Sequence, residues 1–184
     1  KRHRRRHAPT IEDLAALEKG SPEEKLLALL AQKEPAEFKA LVEQGNLPAA
    51  RAADLVKSLA QNKQIVMLGD TAEPKPGSLL FTASGWAAFL GKVRQTVESY
   101  YQQYPLRSGM PREELKSRLK LQSRVFAEAL PRVVSENVLA EEQSILKLPG
   151  RQPHLNTAQQ KTADAFLASL QKNPYSPPGD LTPD

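Results

Sequence analysis

The chain has 184 residues, 40% of them hydrophobic and 26% charged, which fits a folded protein of one large or two to three small domains and excludes a polar, highly charged disordered chain. It has no cysteine, which excludes a disulfide framework and a thiolate zinc site and predicts a reducing compartment, and no apolar run approaches the roughly 18 residues of a membrane-crossing helix. The net charge of +5 comes from KRHRRRH at residues 1–7, which holds five of the 26 basic residues; the remaining 21 balance 21 acidic residues, so a pI of 9.5 is not by itself a sign of nucleic-acid binding.

Aromatic residues make up 5% and glycine occurs 9 times, leaving leucine, valine and alanine to fill a core, a composition that favours helices. Ser21, Pro22 and Glu24 spell a capping box with proline at the first helical position, and Leu26, Leu27 and Leu30 follow on one face, predicting a helix to about residue 32. A second helix is predicted at 36–44, stopped by Gly45, and a third at 48–62 from the spacing of Ala52, Leu55, Val56 and Leu59. QIVML at 64–68, the turn material GDTAEPKPG and SLLFT at 78–82 then read as a β-hairpin.

The same order starts again at Ser84, expected to cap a long helix with Trp86, Phe89, Leu90, Val93, Val97 and Tyr101 on one stripe, ended by Pro105. Leu106 to Met110 is placed to add a short strand, helices follow at 111–120 and 123–136, and VLAEE (138–142) with SILKL (144–148) forms another hairpin. A shift of 74 residues lays Leu59 over Val133 and Ile65 over Leu139. Asn156 and Gln159 open a further capping box, and Ala163, Phe166, Leu167 and Leu170 mark a helix to about 172 before the proline-rich NPYSPPGD. A helix without partners cannot bury its apolar face, so this one is expected to lie on the second unit, on another copy, or to be poorly ordered.

Three helices followed by a two-stranded wing is the winged-helix arrangement, a helix-turn-helix variant. The fold class is therefore mainly α with small β-hairpins, as tandem winged helices. The division reads as a basic tail of a preceding domain or linker at 1–17, a first winged helix at 18–84, a second at 85–153 and a truncated start of a third at 154–184. The first residue, Lys1, and the ending SPPGDLTPD, where Asp180 looks like a helix cap, are both expected to be cuts in a longer protein.

Residues 104–124 hold six basic and two acidic residues. Arg112, Lys116 and Lys120 recur every four positions on a helix whose buried side is Leu115 and Leu119, with Arg107, Arg118 and Arg124 nearby. Such a face is either a solvated surface or a phosphate-contacting one; contact with about six to ten phosphates makes affinity fall by orders of magnitude with salt. Winged helices usually read a groove with the third helix, and here that helix is mixed, with Arg124, Glu128 and Arg132 outward. Trp86, Phe89 and Tyr101 are spaced as a core stripe, with a base-stacking platform as the lesser alternative, while Tyr100 and Tyr104 lie partly off the stripe and are expected to line the junction between units. The only histidines are His3, His7 and His154, so no metal site is expected. No phosphate-binding loop is present, and the pairs Glu23–Glu24, Glu113–Glu114 and Glu141–Glu142 sit in helix first turns or on a wing edge, so neither a catalytic residue nor a cofactor site is expected.

YPLRSGMPREELKSRL (104–119), with RVFAEAL (124–130), LKLPGRQPHL (146–155) and TAQQ (157–160), resembles the C-terminal region of bacterial selenocysteine-specific translation elongation factors. The likeness is good over residues 86–172 and thin before, where the element order and SPEEKLLALL support it, and KRHRRRH resembles the basic segment ending the β-barrel that precedes these repeats. The resemblance implies a longer cytoplasmic protein with a GTPase core similar to elongation factor Tu, using GTP and Mg, followed by four tandem winged helices. The last of these grips an mRNA hairpin near a UGA codon, and the factor brings selenocysteinyl-tRNA to the ribosome. By this likeness the present chain holds the first two winged helices and the start of the third, is not itself an enzyme, binds no membrane, and acts as a monomer. It would link the GTPase and tRNA-binding core to the hairpin-binding end, with RNA contact, ribosomal RNA or tRNA among the candidates. No binding residue is carried over, because the family's best-defined RNA contacts fall outside these residues. The competing reading is a winged-helix DNA-binding transcriptional regulator, which predicts a basic third helix and a symmetric dimer; a purely protein-binding module predicts no salt-sensitive nucleic-acid affinity.

Overall fold

Helix α1 (Pro22–Gln32) begins as its sequence dictates: the Ser21 hydroxyl accepts from the Glu24 amide at 3.3 Å and the Glu24 carboxylate accepts from the Ser21 N–H at 2.9 Å, so two orphan donors are satisfied reciprocally. The structure is a computed structural model and describes residues 21–69, 73–151 and 157–172. After α1 come strand β1 (Ala36–Glu37), helices α2 (Phe38–Gly45) and α3 (Ala49–Gln61), and strands β2 (Ile65–Met67) and β3 (Leu79–Thr82). The second unit repeats this order with α4 (Ala83–Gln103), β4 (Met110–Pro111), α5 (Arg112–Leu119), α6 (Ser123–Ser135), β5 (Ala140–Glu142) and β6 (Ile145–Lys147). Helix α7 (Thr157–Lys172) follows. The described residues are thus mainly helical with two small antiparallel sheets, ordered β1-β3-β2 and β4-β6-β5, and the architecture is that of winged helices.

The 74-residue shift is a structural repeat. Ala36 maps onto Met110, Phe38 onto Arg112 and Ala49 onto Ser123, so β1, α2 and α3 overlay β4, α5 and α6 without a gap. The left-handed residues map too: Asn46 (φ 48°) onto Lys120 (φ 53°), and Lys63 (φ 57°) onto Asn137 (φ 56°). Each pair ends a helix, where a left-handed residue lets the last carbonyls find donors. Core positions follow the same frame, with Leu41 and Leu115, Val56 and Leu130, and Leu59 and Val133 all buried.

The structure departs from the sequence reading in several places. Each wing is a three-stranded sheet, because β1, unforeseen, pairs Ala36 with Leu80 and Glu37 with Leu79. The predicted extra strand near Met110 pairs with Leu146 as β4. Helix α4 is capped by Thr82 and not Ser84: the Thr82 hydroxyl accepts from the Gly85 amide at 3.0 Å, and Ser84 already sits in the first turn with its hydroxyl 3.0 Å from that of Thr82. Helix α5 stops at Leu119, so Lys120 leaves the helical spacing of Arg112 and Lys116. Asn156 and Asp180, read as caps, lie outside the described residues.

Two apolar cores form, and β3 divides them. Leu80 is fully buried among Leu26, Leu30, Phe38, Val56 and Leu59 of the first unit. Leu79 and Phe81 point the other way and join Trp86, Val93, Tyr100, Met110 and Leu130 in the second. Alternate side chains of a strand lie on opposite faces, so a strand buried on both must be apolar throughout, as SLLFT nearly is. Phe81, Trp86 and Phe89 form a ring cluster at this seam, with centroids 5.3–5.5 Å apart. Tyr100 and Tyr101 are buried within the second core, not between the units as expected for Tyr100. Helix α7 contributes no buried residue among those described and exposes Phe166 and Leu167.

Candidate nucleic-acid interface

Helix α5 presents its charges because one side is consumed by Leu115, fully buried, and Leu119, partly so, while Glu113 and Glu114 occupy the first turn where the helix dipole favours acid. Each of its cations has a carboxylate. Arg112 lies 3.3 Å from Glu141 on the facing strand β5 and stacks over Phe126 at 5.7 Å. Lys116 pairs with Glu113. Arg118 donates through Nε to Glu114 at 3.1 Å and through a terminal nitrogen to Gln103 at 3.0 Å, with its guanidinium 5.3 Å from the Tyr100 ring centre. These pairs are only partly shielded from solvent, where an ion pair contributes about 0–1 kcal/mol, so phosphate oxygens can compete with the carboxylates.

Arg107 differs. It donates to the Tyr100 hydroxyl at 2.9 Å and stacks on Tyr104 with its guanidinium carbon 4.7 Å from the ring centre, and among the described residues it is in no ion pair. The loop that carries it is held down at Gly109, where the backbone runs so close to β6 that an added Cβ would lie 2.7 Å from the Leu146 carbonyl oxygen. Lys120 is exposed, without an ion pair among the described residues, and lines a cleft shared with Leu29, Lys33, Glu34 and Glu37 of the first unit.

Arg124, grouped with the others by sequence proximity, belongs to the seam. From the first turn of α6 it reaches Glu37 at 2.7 Å and the Gly77 carbonyl in the first unit, as well as Glu128 on its own helix at 3.0 Å. Two turns on, Arg132 donates to the Met67 carbonyl at 3.2 Å and to Glu136 at 2.9 Å, and Glu136 in turn accepts from the Trp86 indole N–H at 2.9 Å. The outward stripe of the third helix, Arg124–Glu128–Arg132–Glu136, therefore faces the wing of the first unit. On the other side of the seam the Glu34 carboxylate accepts from the Thr82 amide at 3.2 Å, at the positive N-terminal end of α4. Arg151, which sequence reasoning passed over, stacks on Tyr101 at 4.0 Å and likewise is in no ion pair among the described residues.

Residues 94–148 match the family model described as elongation factor SelB, winged helix. The matched stretch runs from Arg94 on α4 to Leu148 after β6 and contains Arg107, Arg112, Lys116, Arg118, Lys120 and Arg124. It supports the resemblance read from the sequence to a SelB C-terminal winged-helix region. No curated protein matches the chain at a significant level. Among the described residues no helix is long and apolar enough to cross a membrane, and no group of three or more histidine or acidic side chains is placed to hold a metal ion.

Proposed function

We propose that the two winged helices are a stiff connector in a selenocysteine-specific elongation factor. In this reading they hold an mRNA-hairpin-binding end at a set distance from a GTPase and tRNA-binding core and touch RNA of the ribosome or tRNA through the α5 side of the second unit. This segment performs no catalytic step; GTP and Mg belong to the core.

One observation carries the connector reading. Thr82 is at once the last residue of β3 and the cap of α4, so no linker separates the units, and β3 serves both cores. A flexible tether needs several residues free of both neighbours, and there are none. The regulator reading is disfavoured by the same seam, because the α6 face that would be laid in a DNA groove is engaged with the first unit.

The test is a flexible Gly-Ser insertion between Thr82 and Ala83 in the complete factor. Selenocysteine incorporation at an in-frame UGA reporter should fall while GTP hydrolysis by the core is unchanged. Full incorporation with a loosened joint would overturn the connector.

A further inference from the structure

The C-terminal end of α4 carries an arrangement that ion pairing does not explain. Eight arginines lie among the described residues, and five of them (Arg94, Arg112, Arg118, Arg124 and Arg132) hold a carboxylate. Arg107 and Arg151 instead rest on tyrosine rings, Tyr104 and Tyr101, at 4.7 and 4.0 Å. The two acids of α5 are engaged on their own helix, Glu113 by Lys116 and Glu114 by Arg118. Neither guanidinium group is in an ion pair among the described residues, and Arg107 spends one N–H on the Tyr100 hydroxyl, so each keeps further N–H groups for an anion while resting on a ring.

The same end of the unit exposes apolar surface. Tyr104 is 42% and Leu106 50% exposed, two of the four large hydrophobic residues at the surface of the described chain. Tyr104 is not a loose side chain: its ring packs 4.9 Å from that of the fully buried Tyr100, and the Arg107 amide donates to its carbonyl at 3.2 Å. An exposed ring edged by a guanidinium group, on a support that is itself buried, is the combination that takes an unpaired base with its flanking phosphates, since bases stack on aromatic rings and on arginine planes alike.

We propose that Tyr104, Leu106, Arg107 and Arg151 form a docking site for single-stranded RNA, with one base stacked on the exposed surface that Tyr104 and the Arg107 guanidinium make together and phosphates at Arg107 and Arg151. The proposal rests on the RNA-contact part of the function above and narrows it. A base in a duplex is already stacked on both faces, so its ring surface is unavailable to Tyr104; the site selects unpaired RNA. An acidic peptide satisfies the arginines but has no face to lay on the tyrosine, which is why RNA is the favoured occupant.

The experiment titrates the full chain into a fluorescently labelled uridylate dodecamer and, in parallel, an RNA duplex of the same length, with an acidic peptide as competitor. The basic run at residues 1–7 adds the same background to every variant, so the readout is the ratio to wild type. Tyr104→Ala and Arg107→Gln should each weaken single-strand binding by about tenfold, Tyr104→Phe should retain it, and duplex binding should change little. Arg94→Gln, which removes one charge elsewhere on α4, should have no effect. Because Tyr104 packs on the buried Tyr100, thermal melting verifies the fold of both Tyr104→Ala and Arg107→Gln before binding is compared. Wild-type single-strand affinity in Tyr104→Ala overturns the proposal. If duplex binding then still falls in Lys116→Ala/Lys120→Ala, the broader RNA-contact reading survives; if neither RNA responds to either set, both fail. Displacement of the RNA by the acidic peptide at equal charge, with Tyr104→Ala unaffected, overturns it in favour of a protein partner.

Discussion

A methyl group added at Gly91, on the solvent side of α4, meets no atom within 4 Å, whereas one added at Gly109 lands 2.7 Å from the Leu146 carbonyl oxygen. Glycine in a helix interior loses more backbone entropy than alanine, so Gly91→Ala should raise stability by about 0.5–1 kcal/mol. Gly109→Ala forces the loop off β6 and should lower it by about 1–3 kcal/mol. Urea unfolding of the two variants beside the parent reads both signs in one experiment. Charge at the wings gives a second residue-scale expectation. Hydrogen bonding to Lys57, and then its charge, holds the Glu73 carboxyl below its ordinary range, and Lys147 does the same for Glu142. A depressed folded-state pKa stabilises the fold above the unfolded value and the effect disappears as pH falls through the folded one. Carboxylate NMR titration should place both midpoints below the ordinary glutamate value, and Lys57→Ala should return Glu73 alone to it.

Strand β3 is where the element scale decides the architecture, because its two faces belong to different cores. Leu80→Ala opens a cavity in the first unit and should cost about 2–5 kcal/mol, while Phe81→Ala removes a ring from the Trp86–Phe89 cluster and should cost about 3–5 kcal/mol. The two differ in what else they report: Trp86 emission should shift on Phe81→Ala and stay nearly fixed on Leu80→Ala. Much of this level is legible in the sequence. Apolar spacing locates α1, α3, α4 and α6, and the 74-residue shift is visible in Leu59 and Val133 before any coordinates. Strand β1 is not legible, since Ala36 and Glu37 carry no periodicity of their own and become a strand only because β3 offers an edge. The charged site was legible as composition and not as geometry. Proximity in the chain grouped Arg124 with Lys116, but its partners Glu37 and Gly77 are far away in the chain; Arg151 gave no signal because its partner is a ring.

At the scale of the whole molecule the question is whether two repeats behave as two domains. Independent units unfold separately when the surface between them is small and polar. Here the surface between them includes Leu68, Leu79 and Phe81 of the first unit inside the second core, with Arg124, Arg132 and Glu34 bonding across its margins. Loss of the first unit would withdraw β3 and strip Trp86 of its cover, and loss of the second would expose Leu79 and Phe81 to water. Neither unit keeps an intact core alone, so the two should melt as one. The chain supplies its own probe of the seam, since Trp86 is the sole tryptophan and is buried there. Its fluorescence and the NMR methyl signal of Val56, deep in the first unit, should follow the same urea transition with the same midpoint and slope. Two separated transitions would show that β3 does not couple the units and would remove the physical basis of a rigid connector. Arg124→Ala, which cuts the bonds to Glu37 and Gly77 while leaving both cores intact, should shift the midpoint downward for both probes together.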